Sequence, residues 1–199
     1  MKKNTHFNKL LCVDTETSGI AFGQDNPSYD SISKKRYQIV SIGLIVVDAV
    51  TLKSIDELYL EIKWDGVSDW SKQAELIHGL SIEYLENHGI EREDAVAEIC
   101  NLILDHFGYN IPINVMGNNV MFDIQFLKAL CRSEGIELKV SNRIYDSNSV
   151  GFAMFGTYDS DELFEIIGGK RNLHNSLDDA RLSLKVFQTV KQLSDQLLG

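Results

Sequence analysis

Asp14 and Glu16 stand two residues apart at the end of the apolar run Leu10-Leu11-Cys12-Val13, immediately before Thr17-Ser18-Gly19. A short apolar run closed by a turn reads as a buried strand, and side chains two apart on a strand share a face. The two carboxylates therefore project together at the strand's C-terminal end. There they repel each other unless a cation lies between them or one takes a proton. The start of a solvated loop is the plainer reading, because Asp and Thr are ordinary turn formers, and the pair alone leaves both open.

Two more acids carry the argument further. From Leu177 to Leu198, Leu182, Val186, Val190, Leu193 and Leu197 recur at helical spacing, with Arg181, Lys185, Gln188 and Gln192 opposite. At about 100° per residue, Asp179 falls at the centre of the apolar face and Asp178 at its polar edge. A capping box with Ser176 as N-cap and Asp179 at N3 would explain the helix start, but not the inward direction. Asp123 opens a second stripe in the same way, with Phe126, Leu127, Leu130 and Cys131 following on its face and Gln125, Lys128 and Arg132 elsewhere. Its plainer reading is a first-turn acid favoured by the helix dipole.

None of the four acids has a cationic partner visible in the sequence. Together they offer the hard oxygen donors that Mg²⁺ or Mn²⁺ accepts. His174, in the loop before the Asp179 helix, has an imidazole whose ordinary pKa of about 6.5 suits a general base.

In order and spacing, Asp14-Thr15-Glu16-Thr17-Ser18-Gly19, then Asn119-Val120-Met121-Phe122-Asp123, then His174 followed by Asp179, resemble the successive motifs of the DEDDh-type 3′–5′ exonucleases. This superfamily includes proofreading epsilon subunits and ribonuclease T and has an RNase H-like fold. The resemblance runs from about Leu10 to about Leu193. Ile77-His78-Gly79-Leu80-Ser81 also resembles the His-Gly turn between the first two motifs. Asn118 departs from the pattern where many relatives carry histidine, which bears on detail around the ligands.

The resemblance implies one exonuclease domain over residues 1–199 and a two-metal mechanism. Asp14, Glu16, Asp123 and Asp179 would hold two Mg²⁺ or Mn²⁺ ions, and His174 would take the proton from the attacking water. Nucleoside 5′-monophosphates would leave the 3′ end of a single strand, DNA favoured over RNA. Thr17, Gly19 and Ile20 would pack on the terminal nucleotide, with Asn119 and Phe122 as further contacts, although an aromatic beside a buried helix face is more often core. An RNA-directed exoribonuclease resembling oligoribonuclease or ribonuclease T is the nearer alternative. A non-catalytic nucleic-acid-binding module is the farther one, and it fits poorly with five filled positions.

The 19 cationic and 29 acidic residues leave a net charge of −10, unusual for a protein that grips nucleic acid. The site's own carboxylates account for part of the excess. The remainder implies a short footprint at a strand end and leaves a polymerase or other replication or repair factor as a source of added affinity. Both a monomer and a homodimer are compatible with the chain. A hydrophobic content of 44% supports one globular core. Cys12, Cys100 and Cys131 lack ligand spacing and read as thiols of a reducing compartment, hence a cytoplasmic location. No stretch suits a signal-peptide core or a membrane span.

The elements that must position these residues follow from periodicity. The first strand, Gln38 to Asp48, and Glu57 to Lys63 predict an antiparallel meander. Helical segments follow around Trp70–Ile77 and Ser81–Glu86. A helix from about Glu93 to Phe107 turns Val96, Ile99, Cys100, Ile103 and Phe107 inward and ends at Gly108. Ile113–Met116 and Arg143–Tyr145 add two strands around the Asp123 helix, which runs to Gly135, and Asp146-Ser147 reads as a helix cap. The α/β architecture expected is a mixed five-stranded sheet, three strands antiparallel and then parallel, with helices on both faces. Between Ile20 and Tyr37, Tyr29 and Lys34-Lys35-Arg36 suit either a substrate-contacting flap or a solvated loop ending in a charged edge strand.

Overall fold

The computed structural model describes residues 8–20, 29–30, 35–171 and 174–198. Its elements in chain order are β1 (Lys9–Thr17), β2 (Tyr29–Asp30), β3 (Lys35–Arg36), β4 (Ile39–Asp48), β5 (Ser54–Glu61), α1 (Lys72–His78), α2 (Ile82–His88), α3 (Arg92–Phe107), β6 (Ile113–Gly117), α4 (Val120–Ser133), β7 (Val140–Asp146), α5 (Ser147–Phe155), α6 (Ser160–Ile166) and α7 (Ser176–Leu198). Five strands form one sheet in the order β5-β4-β1-β6-β7. β1, β4 and β5 pair antiparallel, whereas β6 and β7 join parallel to β1. This is the mixed sheet that the strand spacing predicts.

Alternation along β1 sorts the core into two layers. Leu11 and Val13 face α3 and α4, joining Ile99, Ile124 and Leu127. Leu10 and Cys12 face the other way, against Ala180 and Leu184 of α7. By the same period-two rule Asp14 and Glu16 belong to the α7 side. Helices thus cover both faces of the sheet.

Several boundaries differ from expectation. β5 and β7 begin earlier than the apolar pattern suggests. The sequence reading expects a helix cap at Asp146 but gives no extent to the helix it starts, α5, and has no counterpart to α6, because Gly151 and the short run after it lack a helical stripe. Gly151 instead lets α5 close on Leu163 of α6. The α7 stripe read from the sequence merges two contacts. Leu177, Ala180, Leu184 and Phe187 meet the sheet, whereas Leu182 and Val186 meet α5 and α6, and Leu197 is exposed. Of the expected basic flap, Lys34 and residues 21–28 and 31–33 lie outside the described residues; β2 and β3 form a separate two-stranded ribbon. Cys12, Cys100 and Cys131 are free thiols. Among the described residues, no helix is long and apolar enough to cross a membrane.

One glycine sets how closely α7 approaches the sheet. Gly43 lies directly across from Asp14 in the β1–β4 register, and a Cβ there would overlap the backbone of Ser176 and Leu177. Backbone cannot rotate away as a side chain can, so Gly43→Ala is expected to displace the start of α7. The cost should be that of overpacking, about 1–3 kcal/mol. Urea denaturation would read the stability loss, and weaker metal binding by the folded variant would read the displacement of Asp179.

Candidate active site

Four segments deliver the functional side chains. β1 presents Asp14 and Glu16 on its α7 side. Asp123, 4% exposed, sits in the first turn of α4. Its Oδ1 accepts hydrogen bonds from the Thr15 N–H at 2.8 Å and the Thr15 hydroxyl at 2.7 Å. Thr15 points to the opposite face of β1 from its neighbours, so it draws Asp123 to the strand end from the α4 side.

Asp179, 2% exposed, sits one turn into α7. The residue capping that helix is Asn175, not Ser176: its Oδ1 accepts from the N–H groups of Leu177 and Asp178, each at 3.1 Å. Ser176 is buried, with its hydroxyl 3.0 Å from that of Ser41. The capping-box explanation of Asp179 therefore fails, and its carboxylate is left to serve the interior.

Asp146 is a cap, as its sequence context predicts, and it serves two helices. Oδ1 accepts from the N–H groups of Asn148 and Ser149, and Oδ2 accepts from the Val120 N–H at 3.1 Å. The end of β7 is thereby tied to the start of α4, three residues before Asp123. Asn118 accepts from the Ser147 hydroxyl at 3.0 Å, fixing the same corner.

All ten residues expected at the site, Asp14, Glu16, Thr17, Gly19, Ile20, Asn119, Phe122, Asp123, His174 and Asp179, line one cavity of about 680 Å³. Ile20, Ile77, Met121 and Phe122 add apolar lining to the same cavity as the carboxylates, and the first three remain substantially exposed. Gly19 has a packing role too, because a Cβ there would overlap the Tyr37 ring. Phe122 is both wall and core, with its ring 4.8 Å from that of Phe126.

Three contributors have no site role in the sequence reading. Thr15 and His78, present there only within motifs, are two, and the third corrects an expectation: Asp179 does have a cationic partner. Arg171 donates from Nε to Asp179 Oδ1 at 2.9 Å and from Nη1 to Asp161 Oδ1 at 2.8 Å, and its guanidinium lies 4.9 Å from the centre of the Phe164 ring. No periodicity reveals it, because the loop between α6 and α7 carries it in. Asp179 remains part of the cavity, with Oδ2 3.5 Å from His174 Nδ1; Glu16 Oε1 is 3.8 Å from the same nitrogen. His78 ends α1 in the predicted His-Gly turn. Its Nδ1 accepts from the Leu80 N–H at 3.0 Å, so the proton of the neutral ring lies on Nε2, and burial lowers its pKa.

One guanidinium does not balance four carboxylates. Burial, then repulsion from Asp123, Asp179 and Glu16, holds Asp14 well above the usual carboxylate range. Burial first and Asp179 second push Glu16 up to about 8, and burial pushes Asp123 up to about 7 despite its Thr15 hydrogen bonds. Burial also raises Asp179, against the pull of Arg171. His174 is lowered by burial and then by Arg171, so it is neutral and able to accept a proton. The nearest ligand atoms of Glu16, His174 and Asp179 all lie within 4.8 Å of one another. An under-neutralised cluster of hard oxygen donors fits divalent cations such as Mg²⁺ or Mn²⁺.

No protein-family model matches the chain. No curated protein matches it either. Solved structures do. E. coli exonuclease I in complex with a dT13 oligonucleotide aligns with a TM-score of 0.74 at 17% identity, over 96% of this chain and 42% of that one. Exonuclease I from Methylocaldum szegediense aligns with a TM-score of 0.71 at 17% identity, over 95% and 41%. The nuclease domain of 3′hExo, a DEDDh family member bound to rAMP, aligns with a TM-score of 0.65 at 12% identity, over 96% and 94%. This chain thus spans about two fifths of the exonuclease I chains and nearly all of the 3′hExo nuclease domain. It has the RNase H-like fold that these exonucleases share.

Proposed function

We propose that this protein is a metal-dependent 3′–5′ exonuclease that releases nucleoside 5′-monophosphates from single-stranded DNA. The observation that carries this reading is the convergence of Asp14, Glu16, Asp123 and Asp179 in one cavity with His174 and, among the described residues, a single lining guanidinium, that of Arg171. Asp14, Glu16, Asp123 and Asp179 would hold two Mg²⁺ or Mn²⁺ ions. Ions held there would supply Lewis-acid chemistry, a lowered water pKa and positive charge against the leaving 3′-oxygen.

The chain's own groups do the rest. His174 takes a proton from the attacking water, and the Asp179 carboxylate, 3.5 Å from Nδ1, stabilises the imidazolium that results. Thr15 keeps Asp123 oriented. Ile20, Ile77, Met121 and Phe122 would receive the terminal nucleoside, with Asn119 and Thr17 as polar lining of the same cavity. The exonuclease I complexes contain DNA oligonucleotides, which supports DNA as substrate. The rAMP in the 3′hExo domain supports RNA as the second reading, and the 2′-hydroxyl distinguishes the two.

The test offers 5′-labelled DNA and RNA oligonucleotides of matched sequence with Mg²⁺, with Mn²⁺ and with EDTA. Stepwise shortening from the 3′ end, faster on DNA and absent in EDTA, is the expected result. Undiminished hydrolysis in EDTA, or none with either metal, would overturn the reading. His174→Ala should retain Mn²⁺ binding by calorimetry while kcat falls about 10²–10⁴-fold, the usual range for a lost general base.

A further inference from the structure

A second cleft, of about 440 Å³, opens beside the candidate active site and gathers positive charge on a chain whose net charge is −10. Arg36 at the end of β3, Arg92 at the start of α3 and Arg132 near the end of α4 line it. Among the described residues, Asp65 is the one acid in the wall. It is occupied by the N–H groups of Val67 and Ser68, the Ser68 hydroxyl and Arg92 Nη2 at 2.8 Å. Arg92 pairs with Asp65, and Arg132 lies 3.7 Å from the exposed carboxylate of Glu137, yet their side chains keep 36% and 58% of their surface exposed.

The cleft and the active-site cavity share a wall. Tyr37, in the cleft, packs against Gly19 of the cavity so closely that a Cβ would not fit. Phe126, in the cleft, packs on Phe122 of the cavity at 4.8 Å between ring centres. Helix α4 runs past both, presenting Phe122, Asp123 and Gln125 to the cavity and Phe126, Ala129 and Arg132 to the cleft.

We propose that this cleft carries the nucleic-acid strand on the 5′ side of the scissile phosphate, with its arginines taking backbone phosphates. This inference rests on the exonuclease reading, because a polymer whose 3′ end occupies the cavity must leave by an adjoining opening. Phosphates are the groups that a guanidinium fork matches. The two aromatic rings in the wall are buried, at 8% for Tyr37 and 2% for Phe126, and offer no face to a base. The cleft therefore grips the backbone without reading sequence. It also answers the problem of an acidic nuclease: the charge that repels the strand elsewhere confines it to this route.

The experiment compares the native chain with the double variant Arg36→Gln/Arg132→Gln, two exposed positions whose change leaves the Arg92–Asp65 pair in place. KM is measured with Mg²⁺ for a thymidine dodecamer and for a thymidine dinucleotide across about 50–200 mM salt. The dodecamer KM should rise about tenfold in the variant, and its dependence on log salt should flatten by about 1.4, since each phosphate that an arginine no longer neutralises removes about 0.7 from the slope. The dinucleotide, too short to enter the cleft, is the internal reference. An unchanged dodecamer KM, or an equal rise on both substrates, overturns the cleft assignment while hydrolysis of the dinucleotide upholds the exonuclease. Failure of the native chain to hydrolyse either substrate overturns both.

Discussion

Asp14→Asn is expected to abolish the proposed exonuclease activity and, in the same preparation, to make the metal-free protein more stable. The first effect follows from removing a central oxygen donor and its charge; losing one group that stabilises transition-state charge costs about 10²–10³-fold, and weakened metal binding adds to that loss. The second follows from burial and from repulsion by Asp123, Asp179 and Glu16, which raise the Asp14 carboxyl far above its unfolded value. A raised folded-state pKa means that the native state holds a proton the unfolded chain has already released. Stability therefore falls as pH rises from about 4, the unfolded value, up to the folded one.

Glu16, at about 8, and Asp123, at about 7, obey the same sign and place most of the loss between the ordinary carboxylate range and about pH 8. Asparagine escapes Asp14's share of that loss. Urea denaturation in EDTA should show the variant gaining over the native chain as pH rises, with the two converging near about pH 4. Saturating Mg²⁺ should reverse the order, because only the native chain binds it well. A variant less stable than the native chain in EDTA at alkaline pH would mean that Asp14 is not part of a repelling cluster.

Arg171→Met should destabilise the metal-free protein strongly and spare the metal-loaded one. Arg171 is 13% exposed and Asp179 3% by side chain, so their ion pair is buried. Removing one partner of such a pair costs roughly 3–5 kcal/mol, because the other charge stays behind unpaired. Met keeps the apolar length beside Phe164 and removes only the guanidinium. Divalent ions would supply the missing positive charge, so the deficit measured in EDTA should shrink with saturating Mg²⁺. Acid should shrink it too, as Asp179 takes up a proton. A deficit equal with and without metal would assign Arg171 to packing alone.

The acidic half of the candidate site is legible in the sequence because burial leaves a period there. Asp14 and Glu16 interrupt an apolar strand at spacing two, while Asp123 and Asp179 each begin an apolar helical stripe. A charged residue at a position reserved for a hydrophobic one is informative because its desolvation must be compensated. The architecture was legible for the same reason: the sheet is buried on both faces where it carries the site, and its strands read as apolar runs. The helix α6 and the extent of α5 beyond its cap are not legible, because both helices bury a few residues each around α7 and leave no sustained stripe.

By itself, the order of residues along this chain specifies a two-layered α/β core, four inward carboxylates and a histidine within one loop of the last. What it could not specify is everything set by distance between segments far apart. Thr15 reaches Asp123 across 108 positions, Gly43 makes room for Ser176 and Leu177, and Arg171 turns back onto Asp179 from an irregular loop. Three arginines scattered from position 36 to position 132 line one cleft only because β3, α3 and α4 meet beside the sheet. Periodicity encodes which face of an element is buried, a local property. Which faces meet, and which charges they bring together, depends on non-local packing, and that is decided only when the chain folds.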